Sequence, residues 1–139
     1  MFEPKIVVID GCGGGMGKAI VEKLRTSMPQ ANIIAIGTNP FATQTMMKAG
    51  ASLAYTGEES IKKFAMEADL IMGVMGILIP NGLKGELTSD MVLAITASKA
   101  MKVLVPMNRC GIKVPVDDEP LSVHIDSAVE LAIEELNRL

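Results

Sequence analysis

A chain of 139 residues has room for one domain and not two, and its 49% apolar and 21% charged residues exclude intrinsic disorder. The net charge of −3 supplies no basic excess to displace counterions from a nucleic acid, and three Phe, one Tyr and no Trp make no stacking platform for bases. Met1 to Lys5 lacks the basic and apolar regions of a secretion signal, and no apolar run reaches the ~20 residues a spanning helix needs, so the expectation is a cytoplasmic protein without a membrane partner.

Lys5-Ile-Val-Val-Ile-Asp10 is short and almost wholly apolar, as a strand buried on both faces should be. A glycine loop follows. Met16, Ile20 and Leu24 then recur at i, i+4 and i+8, with Lys18, Glu22 and Arg25 facing elsewhere, which predicts a helix stopping before Pro29. Asn32–Gly37 reads as a second buried strand; Asn39-Pro40 supplies an N-cap and a proline at the first helical position, and Gly50 a C-terminal stop. Ser52–Ala54 reads as a third, very short strand. Thr56-Gly-Glu-Glu59 has the spacing of a capping box and opens a helix ending near Ala68.

A fourth strand begins at Leu70–Gly73. From Val74 to Leu87 no period holds, and Gly76, Pro80, Gly82 and Gly85 interrupt the chain; compact domains keep irregular segments of that length for function or mobility. Thr88 or Ser89 caps the next helix, and Lys102–Pro106 is the fifth strand. Met107–Gly111 is too short for a crossover helix, so a strand at Ile112–Val114 would have to run antiparallel. The last helix starts at Pro120, with Leu121, Ile125, Val129, Ile133 and Leu136 as its apolar stripe. The alternation implies an α/β protein: one Rossmann-like domain over residues 1–139, in three layers, with a mostly parallel sheet in the order 3-2-1-4-5 and Ile112–Val114 as an antiparallel edge. A ligand crevice then lies outside the strand carboxyl ends, where the first strand meets the fourth.

Between the first strand and the first helix stands Asp10-Gly11-Cys12-Gly13-Gly14-Gly15-Met16-Gly17-Lys18. The pattern G-x-G-x-x-G fails from Gly11, because its sixth position is Met16. The P-loop pattern comes near at Gly17-Lys18, but Cys12 stands at its first position and Ala19 where a hydroxyl should bind Mg²⁺. The pattern G-x-x-x-G-x-G is matched by Gly11, Gly15 and Gly17. Over Lys5 to Asn39 the chain thus resembles the N-terminal fingerprint of the short-chain dehydrogenase/reductase family, and the resemblance implies a loop wrapped around the pyrophosphate of a nicotinamide dinucleotide. Independently of that likeness, glycines let backbone amides approach an anion, and the helix behind them adds unpaired N–H groups and the positive end of its dipole. Gly11, Cys12, Gly13, Gly14, Gly15, Met16 and Gly17 are the candidate phosphate-binding residues.

That family's catalytic Tyr-x-x-x-Lys is absent, since Tyr55 has Glu59 four residues on. Gly37-Thr38-Asn39 offers neither the acid that binds an adenosine ribose nor an arginine for a 2′-phosphate. NAD, NADP and other nucleotides all stay open; Thr38 and Asn39 are candidate ribose contacts, with Asn39 equally a helix cap. Over its whole length the chain resembles an uncharacterised family of short bacterial Rossmann-like proteins, through Val8–Gly11, Gly17-Lys18, Gly37–Asn39, Gly76, Gly85-Glu86 and Pro106–Cys110. This resemblance implies the fold and the edge of the site, and no reaction.

Other candidates stand near the remaining strand ends: Gly73, Gly76 and Asn81 after the fourth strand, Asn108 and Arg109 after the fifth. Asn108 offers a donor and an acceptor; Arg109 can fork onto a phosphate or pair with Asp117 or Asp118. Cys12 reads as a small residue tolerated beside a phosphate, its other reading being a reactive thiolate at a helix N-terminus. Cys12 and Cys110 lie far apart and are expected as free thiols, and His124, the single histidine, makes no metal cluster. The eleven Met residues read as adaptable packing.

The reading of the whole is a domain that binds a nucleotide or dinucleotide as a sensor or regulatory subunit, with catalytic residues unassigned. The alternatives are an NAD(P)-dependent oxidoreductase completed by another subunit, a hydrolase relic using Lys18, and a structural partner protein with an empty loop. A homodimer is expected, because a short sheet with an antiparallel edge leaves a partly covered flank.

Overall fold

Ile6, Val7, Val8 and Ile9 of β1 (Lys5–Asp10) expose no surface. A strand without polar alternation has no face for water, and it takes the centre of the sheet. The computed structural model describes residues 3–139; Met1 and Phe2, which open the segment read for a leader, lie outside them. Around β1 the order is β3-β2-β1-β4-β5, with β2 at Asn32–Gly37, β3 at Leu53–Thr56, β4 at Leu70–Val74 and β5 at Met101–Val105. All four pairings are parallel. α1 (Gly15–Ser27) packs against both α2 (Pro40–Lys48) and α6 (Leu121–Leu136), while α3 (Glu58–Glu67) packs against α5 (Ser89–Ala97) on the other side of the sheet. Among the described residues no helix is long and apolar enough to cross a membrane.

The expected antiparallel edge strand is not there. Cys110 and Gly111 both take positive φ, 57° and 75°, and turn the chain after β5. The Val114 amide then donates to Asn108 Oδ1 at 2.7 Å, so a side chain takes the bond a ladder would need. The Thr56–Glu59 capping box is also replaced. Thr56 stays in β3, paired with Gly37, and its hydroxyl bonds the Thr43 hydroxyl at 2.7 Å; α3 starts at Glu58 behind Gly57, with no side-chain cap. Asn39 and Thr88 do cap α2 and α5, accepting from Ala42 N and Met91 N. On α6 the buried stripe is Ile125, Ala128, Val129, Ala132 and Leu136, and Leu121 lies 49% exposed.

The irregular stretch after β4 is folded. A 3₁₀ turn, Met75–Leu78, leads to α4, a single turn at Gly82–Gly85, and Ile77, Gly82 and Leu87 are buried. The segment closes on itself through Asn81 N donating to Leu87 O at 2.8 Å and Leu87 N to Gly82 O at 3.1 Å.

Candidate functional site

Asp10, the last residue of β1, is 5% exposed, and its carboxylate accepts from Gly11 N at 2.8 Å and Gly17 N at 2.6 Å. One of the orphan amides of α1 is therefore satisfied inside the protein. Burial raises the Asp10 pKa above the ordinary carboxylate range against the pull of these two amides, and the neighbouring Glu86 charge adds to the rise. Gly14 closes the turn at φ +78°, its N–H donating to Gly11 O at 2.9 Å, and a Cβ there would lie 2.9 Å from Ala42 Cα. A Cβ on Gly17 would come within 2.5 Å of Met46 Sδ. These two glycines set α1 close against α2. Gly17, read as a phosphate contact, is buried behind the crevice, where its amide already serves Asp10.

The solvent side of the loop is different. Gly13 and Gly15 are exposed, and a Cβ on Gly15 would meet nothing within 4 Å. The amides of Gly13, Gly15 and Met16 have no acceptor among the described residues. They open into a cavity of about 590 Å³ at the junction of β1 and β4, a volume within the range of small-molecule sites. Gly11 to Met16 form one wall, Ile79, Asn81, Leu83 and Lys84 another, and Met107, Arg109 and Cys110 close the β5 side. Among the described residues Arg109 makes no ion pair within 4 Å with Asp117 or Asp118, so the pairing that would have kept it from the crevice does not form.

Glu86 is the residue that sequence reasoning missed. Its Oε1 accepts from Thr38 Oγ1 at 2.5 Å, Cys12 N at 2.9 Å and Asn39 Nδ2 at 2.9 Å. The Thr38 hydroxyl first and the Cys12 amide second hold its carboxyl below the usual range. The carboxylate rests on Gly11, where a Cβ would stand 2.8 Å from Oε1. Leu83, Lys84 and Gly85, at φ 53°, 56° and 88°, make the left-handed turn that delivers it. A side chain in that conformation costs about 1–2 kcal/mol per residue. The pair Gly85-Glu86 was visible in the chain; its destination, 74 residues back at Cys12, was not.

Several expected contacts are redirected. The Asn39 amide is fully used, with Oδ1 accepting from Ala42 N at 2.9 Å and Nδ2 donating to Cys12 O at 3.0 Å as well as to Glu86. Thr38 donates its hydroxyl hydrogen to Glu86, so the donors of both residues are spent within the protein. Gly73 is buried in β4, where a Cβ would meet Ile9 O at 2.8 Å, and it serves strand packing. Asn108 caps Val114 N away from the crevice. The Cys12 thiol faces Leu83 O at 3.7 Å, and burial followed by the Glu86 charge pushes its pKa up, against an activated thiolate. Lys18 is exposed on α1 and does not line the cavity. Gly11, Cys12, Gly13, Gly14, Gly15, Met16, Gly76, Asn81 and Arg109 do line one crevice.

Fold and site together define a three-layer Rossmann-like α/β domain, with its crevice at the β1/β4 switch point beneath a glycine-rich loop. The chain belongs to the family described as Domain of unknown function (DUF3842), whose model matches residues 5–137. This agrees with the resemblance to an uncharacterised Rossmann-like family. No curated protein matches the chain. Among solved structures it is similar to that titled "crystal structure of AibC", with a TM-score of 0.51 and 19% identity over 95% of this chain and 42% of that one. It is also similar to an AdoMet-bound rRNA methyltransferase from Sinorhizobium meliloti, with a TM-score of 0.46 and 15% identity over 96% of this chain and 57% of the other. The chain thus spans about half the length of these structures, and the likeness to AibC shows the fold alone.

Proposed function

We propose that this domain binds a nucleotide or dinucleotide at the β1/β4 crevice and acts as a sensor or regulatory subunit. One observation carries the reading: three amides in the loop and first turn of the 13-residue helix α1, those of Gly13, Gly15 and Met16, open unpaired into a crevice with Arg109 on its far side. Amides, helix dipole and guanidinium converge on one volume, which is the chemistry of a phosphate site. Binding is favoured over turnover by the state of the titratable residues. Asp10 commits one carboxylate oxygen to each of two loop amides, and burial followed by the Glu86 charge pushes the Cys12 thiol up, so the loop presents no unengaged carboxylate and no activated thiolate. NAD, NADP and other nucleotides are the ligands to be tested.

Native mass spectrometry of the freshly purified protein reads any retained ligand directly, and titration calorimetry with NAD, NADP, ADP and ATP measures affinity. Gly15→Val is the decisive variant. Gly15 is the first residue of α1, and its Cβ position is open, so the fold and its melting temperature are expected to survive while the branched side chain fills the anion's place and abolishes binding. Unchanged affinity in this variant overturns the reading.

A further inference from the structure

In Rossmann-like crevices the hydroxyls of an adenosine ribose are taken by an acidic residue at the end of the second strand. Here β2 ends in Gly37, followed by Thr38 and Asn39, and no acid stands there in the sequence. The structure brings one from elsewhere: the Glu86 carboxylate reaches from the segment after β4 and is fixed by Thr38, Asn39 and the Cys12 amide. Its second oxygen, Oε2, has no partner among the described residues and is available to accept. Along the loop this places a carboxylate at Gly11–Cys12, next to the open amides of Gly13, Gly15 and Met16.

We infer that Glu86 selects the ligand, accepting the free 2′,3′-hydroxyls of a ribonucleoside and excluding a 2′-phosphate. The inference rests on the nucleotide-binding reading above. A 2′-phosphate would meet a like charge, and the neighbouring uncharged donors, Thr38 Oγ1, Asn39 Nδ2 and Cys12 N, are already spent on Glu86, as is part of the field of Lys84, which lowers the Glu86 pKa. An uncharged hydroxyl needs only an acceptor, and Glu86 supplies one. The ligand class is therefore a ribonucleotide or dinucleotide of the NAD type and not the NADP type.

The test is titration calorimetry of the wild type, Glu86→Gln and Thr38→Val with NAD, NADP, ADP and 2′-deoxy-ADP, each variant first checked by circular dichroism melting. The wild type is expected to bind NAD about tenfold or more tighter than NADP, and ADP about tenfold tighter than 2′-deoxy-ADP, as the loss of a hydrogen bond to a charged acceptor implies. Glu86→Gln keeps the three donors' acceptor and removes the charge, and it should bring NAD and NADP to within about threefold. Thr38→Val keeps the charge and loosens its seat; rejection of NADP should persist while the preference for ADP over 2′-deoxy-ADP falls. If wild type and Glu86→Gln bind both dinucleotides with the same ratio, the selection by Glu86 is overturned and the phosphate site stands. If the wild type binds none of the four ligands, both readings are overturned together.

Discussion

Arg109 leaves the turn after β5 exposed and lines the crevice across from the glycine loop, with no ion pair to Asp117 or Asp118 among the described residues. Under the proposed reading, a guanidinium so placed would fork onto the phosphate that the Gly13, Gly15 and Met16 amides would hold. Arg109→Ala is expected to weaken nucleotide binding by about 1.5–3 kcal/mol, the range for hydrogen bonds to charged groups. Arg109→Lys should recover only part of that loss, because an ammonium cannot form the bidentate contact. Calorimetry on the three proteins decides it: equal affinity of wild type and Arg109→Ala removes Arg109 from the site. Residue types alone were enough to bring Gly11, Gly13, Gly14, Gly15, Gly76 and Arg109 to one crevice, because glycine freedom and a strand end are local properties. They do not show that Gly17, Gly73 and Asn108 lie off that lining, because the surroundings of these residues come from Met46, Ile9 and Val114, partners supplied by other elements or by the next turn of chain.

At the scale of elements, the segment from Met75 to Leu87 gives up regular structure to aim one carboxylate. Its second half is closed by the Asn81–Leu87 bond, its apolar residues Ile77 and Leu87 are buried, and the cost is concentrated in a left-handed turn. Lys84 is exposed at φ 56°, where glycine sits without steric penalty. Lys84→Gly is therefore expected to stabilise the domain by about 0.5–1 kcal/mol, the relieved 1–2 kcal/mol less the extra chain entropy glycine loses on folding. Thermal unfolding should show a melting temperature a few degrees higher. A lower one would mean that the turn at residue 84 is not left-handed in solution. Absence of periodicity signalled that this stretch carries no long helix or strand, and the short turns Met75–Leu78 and Gly82–Gly85 leave no period to read, but periodicity has nothing to say about where such a segment folds back.

Across the whole molecule, the flank that the sequence assigned to an antiparallel strand has none, so the expected homodimer loses that basis. The β3 edge supplies another: Leu53 is 48% exposed there, beside Phe41 at 67% and Met47 at 46% on α2. An open strand edge flanked by apolar side chains is a surface that proteins cover. We retain the homodimer as a proposal on this surface. Sedimentation velocity at micromolar concentration should give twice the chain mass for the wild type and a single chain mass for Leu53→Lys. A wild-type monomer ends the proposal.

The sequence by itself determined the five parallel strands, their 3-2-1-4-5 order and the position of the crevice, while the antiparallel edge it suggested at Ile112–Val114 does not form. Continuous apolar runs at Lys5–Asp10 and Asn32–Gly37 admit only strands buried on both faces, and right-handed crossovers leave little choice in how such strands are ordered. It also pointed to which loop faces the crevice, since five glycines in the seven residues Gly11–Gly17, at the junction of a strand and a helix, are a local signal. Only the tertiary structure decided which loop amides remain open, that Asn39 and Thr38 serve the protein, and that an acid stands at the end of β2. Each of these depends on hydrogen bonds that join loops distant in the chain, Glu86 to Cys12, Thr38 and Asn39 above all. Such bonds follow from the three-dimensional meeting of strand ends, and no periodicity or spacing in the sequence encodes them.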